Sequence, residues 1–421
     1  MPCPCYRYAM RGLGVLERTY LRVFRLYPFM IPLAVVMCCG ETGYAAVNNF
    51  GLPLYMKAAA SRLGVPAGAV GRTVGWVIAS FLLTETVFRI PFGRLSDRIG
   101  RKALIAGGPL VGCAAMILLG QVGNWRWMIP VRALDGIAAA ALWPSIFALI
   151  GDRVGREERA TAMSVTNMVY MAGMALGPAL GGLLINVSGS ARAPFALASG
   201  VFLLAGMLAL AFLQGGRSES QSSEDGAAEV RVSRLSLAAM LLLMFAQTFG
   251  VILLAPFLSL YAKEHLHLKP LHIGILPAMA AVPVGLLAMP LGRLADRVPR
   301  DVAVKVGLIV AGIGMWLVPV ARSFLELSFV MIVLAVAYAF SLPAWLAMVT
   351  EVSPRRGRGE TIGKFGTAQG LGAVAAPLVG GVLYDHGPRL PFVGSAALLT
   401  ASALLAWAAL PRTDTAHRQG Q

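Results

Sequence analysis

Charge is scarce in this chain. Asp, Glu, Lys and Arg make up 13% of 421 residues, against 57% hydrophobic residues and a mean hydropathy of +0.71; this balance excludes an ordinary water-solvated globular fold. Acids are scarcer still, with 20 Asp and Glu facing 36 Lys and Arg for a formal charge of +16. A basic excess of that size raises the question of nucleic acid. No loop is long enough to fold into a basic face with interleaved aromatics, so nucleic acid is excluded as a partner. The five cysteines, Cys3, Cys5, Cys38, Cys39 and Cys113, have neither metal-ligand spacing nor an external disulfide pair. Also missing are a phosphate-cradling glycine loop and any nucleophile–base constellation, so no enzyme, primary pump, cofactor or metal is expected.

What the chain has is long apolar runs. Twelve stretches can cross a hydrocarbon core of about 30 Å as helices, six between residues 29 and 213 and six between 235 and 410. Pro256, Pro277, Pro283 and Pro319 interrupt some of them, which a membrane bundle tolerates because neighbouring groups satisfy the freed backbone. With the N-terminus in the cytoplasm, most Lys and Arg fall in cytoplasmic segments and only Arg89 and Arg132 lie inside spans. This positive-inside bias predicts a multi-pass protein of the inner (plasma) membrane with both termini cytoplasmic. Residues 1–28 show no cleavable signal pattern. On a helical wheel Arg11, Arg18, Arg22 and Arg25 share one face and Leu13, Leu16, Tyr20, Phe24 and Tyr27 the other, which predicts an interfacial helix on the lipid surface.

The chain repeats itself. GRLSDRIGRK at 93–102 returns as GRLADRVPRD at 292–301, and the same offset carries Pro91 onto Pro290, Asp97 onto Asp296, Pro144 onto Pro343, Asp152 onto Glu351 and Pro178 onto Pro377. Residues 214–234 form the one long polar stretch, as expected of a cytoplasmic linker. The organisation expected is a six-helix bundle at 29–213, the linker, a second bundle at 235–410 and a tail at 411–421. Internal repetition of this kind marks transporters that rock two bundles about a central site.

Three motifs make the sequence resemble the major facilitator superfamily, over essentially the whole chain. Gly93, Arg94, Leu95, Ser96, Asp97, Arg98, Ile99, Gly100, Arg101 and Lys102 match that family's signature between spans two and three. Arg132, Gly136 and Ala140 are similar to its span-four pattern. Gly173, Gly177, Pro178, Gly181 and Gly182, written GMALGPALGG, resemble the span-five motif of drug/proton antiporters. The resemblance implies twelve transmembrane helices in two pseudo-symmetric bundles.

It further implies that Asp97 faces the positive N-terminal end of span eleven and shuts a cytoplasmic gate. Arg98 and Arg101 would complete the lock with Asp152, and Arg297 with Glu351 beside Asp296, although Pro299 and Asp301 break the pattern in the second half. Gly93 and Gly100 permit a tight turn between the two helices. Gly173, Gly177 and Gly181, four apart, make a small-residue stripe for close helix packing, and Pro178 can bend the span. Pro377, Gly380 and Gly381 repeat this imperfectly in span eleven.

Ionisable groups deep in a span are costly unless paired or wetted. Glu85 and Arg89 are four apart and Arg132 and Asp135 three apart, spacings that allow pairing on one helix. Glu41, near the middle of span one with Tyr44 and Asn48 on its face, has no such neighbour. It is therefore the candidate proton carrier, with Arg132 as the facing cation and Glu85 and Asp135 as alternates. No acid lies deep in any second-half span, so proton chemistry is expected in the first half only. Gln247, Tyr338, Trp345 and Gln369 are candidates to line a pocket with Tyr44 and Asn48. The expected function is proton-coupled export of small hydrophobic or amphiphilic compounds by a lipid-embedded monomer. A symporter or facilitator for a sugar or organic acid is the alternative, and a non-transporting sensor or assembly factor the third reading.

Overall fold

A computed structural model describes residues 22–213, 234–351 and 358–410. Among the described residues there is no strand, and the chain forms twelve long helices. The first six are α1 Met30–Ala58, α2 Val70–Ile99, α3 Arg101–Gln121, α4 Trp125–Arg153, α5 Arg156–Ser188 and α6 Ala193–Phe212. The second six are α7 Arg234–Glu264, α8 Pro270–Arg297, α9 Arg300–Leu317, α10 Phe324–Glu351, α11 Arg358–His386 and α12 Leu390–Ala409. Eleven of them are long and apolar enough to span a bilayer; α8, whose described apolar portion is Pro270–Ala281, completes the second set. The expected linker and tail, and the interfacial helix before residue 22, lie outside the described residues.

The helices run further than hydropathy alone indicates. Pro91 sits inside α2, and Gly93 is helical with open space where a Cβ would stand. The expectation that Gly93 helps form the turn is corrected: the turn is made at Gly100 alone, whose φ of +94° is a conformation glycine adopts without strain. Pro319 does end a helix, in the short 3-10 turn Val318–Val320 after α9. Within α1 the backbone loosens into a π-helical turn over Val47–Gly51.

Each half packs by the same scheme. In the first, α1 lies on α5 and α6, and α4 on α2 and α3; in the second, α7 lies on α11 and α12, and α10 on α8 and α9. Matching glycines set matching seams: a Cβ on Gly108 would stand 2.7 Å from the Ala138 carbonyl, and one on Gly307 3.2 Å from the Ala337 carbonyl. Each half has its own apolar core, and Phe50 and Leu54 from the end of α1 join the second.

The halves meet along α2·α11 and α5·α8. One face of the bundle carries the start of α1, the end of α12 and both charged loops, and is called the basic face here. At the opposite face backbones nearly touch: Gly71 against Gly381, Gly75 against Pro377, Gly182 against Pro270 and Gly274 against Pro178. Contact between α2 and α11 continues to Thr86 and Gly370. Beyond it, Gly93, Gly363 and Gly366 meet nothing within 4 Å. Among the described residues the two halves are closed at the opposite face, and α2 and α11 part towards the basic face.

Candidate functional site

Glu41 occupies the middle of α1 and is 7% exposed. Among the described residues it makes no hydrogen bond or ion pair. Its stem is pressed by α5, because a Cβ on Gly173 would come within 2.6 Å of the Glu41 Cβ. The charged side chain whose field reaches it is Glu85 of α2. Glu85 is bound to Arg89 at 2.7 Å, the pair that the four-residue spacing permits.

Arg132 does not face Glu41, which corrects the expected pairing. Its guanidinium is fully buried, with Nη1 on Asp135, Nη2 donating to the Asn48 side-chain oxygen, and its Cζ 4.4 Å from the Phe81 ring centre. Burial of both charges demands such a partner. Among the described residues Arg132 Nε, Asp135 Oδ1 and the Tyr44 hydroxyl have no hydrogen-bond partner. Tyr44 itself is sandwiched between Phe81 and Phe202, with ring centres 5.8 and 4.8 Å away. The first half therefore holds two different acidic devices: a closed cluster on α4 and an open carboxyl on α1.

The remaining pocket candidates divide. Tyr338 is 41% exposed and Gln369 is exposed, both on helices of the second half, while Gln247 is half-buried. Trp345 is packed inside its own half, with its indole N–H donating to Met244 Sδ at 3.3 Å. Tyr170 of α5 escaped sequence reasoning. It lies in the electrostatic reach of Glu41, Glu85, Arg89 and Tyr338, and stacks edge-on against Trp143 of α4 at 5.4 Å. A tyrosine in a membrane span carries no local signal that distinguishes a site from packing.

At the basic face Asp97 is 60% exposed and bonds to Arg101 at 2.5 Å; Arg101 also holds Ser96 and, at 3.1 Å, Asp152. Among the described residues Asp97 has no partner in α11, and Arg98 is exposed without an ion pair. The side chains of Asp296, Arg297 and Glu351 lie outside the described set. The segment before α1 is fastened to the start of α5, by Arg22 to Glu158 at 3.2 Å and by the Gly155 N–H donating to the Tyr27 hydroxyl at 3.1 Å.

The span-five glycines serve two partners. Gly173, Gly177 and Gly181 pack on α1, whereas Pro178 and Gly182 meet α8 in the other half. In α11, Gly380 packs on Phe257 of α7, and Pro377 and Gly381 meet α2. One glycine of each GG pair seals a bundle and the other seals the contact between bundles.

The family model described as Major Facilitator Superfamily matches residues 33–239 and 240–420. Multidrug resistance protein 2 of Bacillus subtilis is 24% identical over 77% of this chain and 82% of its own length. Multidrug resistance protein MdtG of Salmonella arizonae is 27% identical over 89% and 94%. Among solved structures, a point mutant of the nucleoside transporter NupG superimposes with a TM-score of 0.73 at 14% identity, covering 91% of this chain and all of that one. A bacterial homologue of the human lysosomal transporter Spinster, inward-facing and occupied, also reaches 0.73 at 15% identity over 92% and 97%. At these identities the structures share the fold alone.

Proposed function

The chain belongs to the Major Facilitator Superfamily, a transporter and not an enzyme, and on that premise we propose that it exports small hydrophobic or amphiphilic compounds in exchange for protons. The basic face is cytoplasmic in this reading, by the positive-inside bias, so the cleft between the halves opens to the cytoplasm. The names of the multidrug-resistance relatives support export.

The observation that carries the reading is Glu41, a carboxyl buried in mid-span with no hydrogen bond or ion pair among the described residues. Left ionised, it requires compensation by water or a bound compound; protonated, it does not. Proton and compound thereby become alternatives at one place, which is the physical content of antiport. Tyr170, in the electrostatic reach of Glu41 and Tyr338 and packed on Trp143, supplies aromatic surface on that side. Asp97 closes the cytoplasmic side when the halves rock, and the α5·α8 and α2·α11 seams are where they pivot.

Purified protein in liposomes with an imposed pH gradient tests this. Adding candidate amphiphiles should move protons, and Glu41→Gln should retain binding while losing gradient-driven accumulation. In detergent, compound binding should release protons from the parent protein but not from Glu41→Gln. Equal release from both would remove Glu41 and make Glu85 or Asp135 the carrier. Uptake of a sugar or organic acid along with protons would instead indicate symport, and no flux at all a sensor or assembly factor.

A further inference from the structure

We propose that Asp385 and Glu264 form a two-carboxylate latch that holds the opposite face closed, and that this latch breaks each time the cleft turns to that side. α2 starts at Val70, so the N–H groups of Gly71 and Arg72 have no acceptor within their own helix and carry partial positive charge. Asp385, in the last turn of α11 in the other half, supplies the acceptors. Its Oδ1 receives the Gly71 N–H at 2.7 Å, and its Oδ2 receives the Arg72 N–H at 3.1 Å and Arg72 Nε at 2.8 Å. The carboxylate is 6% exposed although Arg72 is half in solvent.

The neighbouring residue ties in the second carboxylate. Tyr384 donates its hydroxyl to Glu264 Oε2 at 2.8 Å, and Lys57 at the end of α1 sits 2.5 Å from Glu264 Oε1 as an ion pair without hydrogen-bond geometry. Four helices, two from each half, are thus joined by two acids. The approach depends on glycine: a Cβ on Gly71 would stand 2.5 Å from the Gly381 carbonyl and 2.7 Å from Asp385 Oδ1.

The pseudo-symmetric seam lacks the device. The repeat offset carries Asp385 back to Asn186, and Gly71 and Arg72 forward to Pro270 and Leu271. Asn186 has no charge and Pro270 no N–H, and among the described residues no ion pair crosses the α5·α8 contact, where Gly182 and Gly274 meet backbone and Ile185 packs on the second core. One seam is latched by charge and the other slides. At the basic face the acid Asp97 is exposed and, among the described residues, bonded only within its own half, so the latch is engaged on the side where the halves touch.

The inference holds whatever the compound or coupling ion, and its test uses neither. Leu54, 7% exposed, lies on α1 against the second core. In a cysteine-free background carrying Leu54→Cys, reconstituted in nanodiscs without a pH gradient or added compound, the rate of alkylation by a membrane-impermeant maleimide reports opening of this face. Asp385→Asn keeps the shape and loses the charge, and should accelerate labelling about tenfold, the equivalent of one charge-assisted hydrogen bond. Glu264→Gln should accelerate it less, and Arg72→Ala least, since both backbone bonds remain. Unchanged labelling in both Asp385→Asn and Glu264→Gln, at unchanged thermal stability, overturns the latch. If Asp385→Asn does not fold, Glu264→Gln and Arg72→Ala decide by the same measurement.

Discussion

The two halves share a packing scheme and differ in what they bury. Arg132 and Asp135 of α4 correspond to Met331 and Leu334 of α10, and Glu85 and Arg89 of α2 to Val284 and Ala288 of α8. The turn of α7 that corresponds to Glu41 carries Gln247 and Thr248: Gly43 packs on Phe202 of α6 as Gly250 packs on Leu399 of α12. Each of these mid-span groups has a neutral counterpart in the second half, whose own buried ion pair, Asp301 with Lys305, sits at the start of α9. One scaffold therefore tolerates both contents, so the charges of the first half are not required by the fold. Where such a charge has a partner, both members must be exchanged together for what the second half accepts.

The largest effect is expected from Glu41→Gln, which makes that turn neutral in both halves. Gradient-driven accumulation in proteoliposomes should be lost outright, with binding retained. Next is Arg132→Met, the second-half residue. It strands Asp135 without its cation, at a cost of about 3–5 kcal/mol, whereas Arg132→Met with Asp135→Leu restores an apolar pair and should recover most of that loss. Chemical unfolding of the two variants separates them, and equal stability would mean that Asp135 does not depend on Arg132.

Gly177 and Ala376 are counterparts that differ by one methyl group. A Cβ at Gly177 would lie 2.7 Å from the Ala46 backbone N and 3.0 Å from Ala45 Cβ, so Gly177→Ala should cost about 1–3 kcal/mol by overpacking. The reverse change, Ala376→Gly, should cost about 1 kcal/mol, from helix entropy and the lost contacts of one buried methyl group. If the two unfold alike, the α1·α5 seam is no tighter than α7·α11. Asp97→Asn should be the smallest in stability, below about 1 kcal/mol for an exposed pair, yet transport should fall because Asp97 acts when the basic face closes. Unchanged flux would leave Asp97 as a topology signal.

Much of this was legible because membrane sequences write two things in plain order. Apolar runs mark the helices, and a half-length repeat marks the bundles. Charge pairs on one helix, Glu85–Arg89 and Arg132–Asp135, follow from spacing. What spacing cannot reveal is a partner on a distant helix. The glycine stripe of α5 announced close packing, but not that α1 takes it while α8 takes Pro178 and Gly182. Asn48 was grouped with Glu41 by its face, and belongs to Arg132. Asp385 and Arg72 are separated by most of the chain, and nothing local joins an aspartate ending one helix to the amides beginning another.

The π turn in α1 records an insertion. Phe50 meets Gly181 as Phe257 meets Gly380, and Tyr55 stacks on Phe195 as Tyr261 stacks on Phe392. Tyr55 follows Phe50 by five positions, but Tyr261 follows Phe257 by four. An extra residue in a regular helix would rotate everything after it by about 100°, throwing Tyr55 off its ring and Lys57 away from Glu264. By widening a single turn over Val47–Gly51, the helix absorbs the additional residue locally and both flanks stay in phase with their neighbours. Asn48, within that widened turn, reaches Arg132 from a helix whose packing before and after it still follows the pattern of its twin.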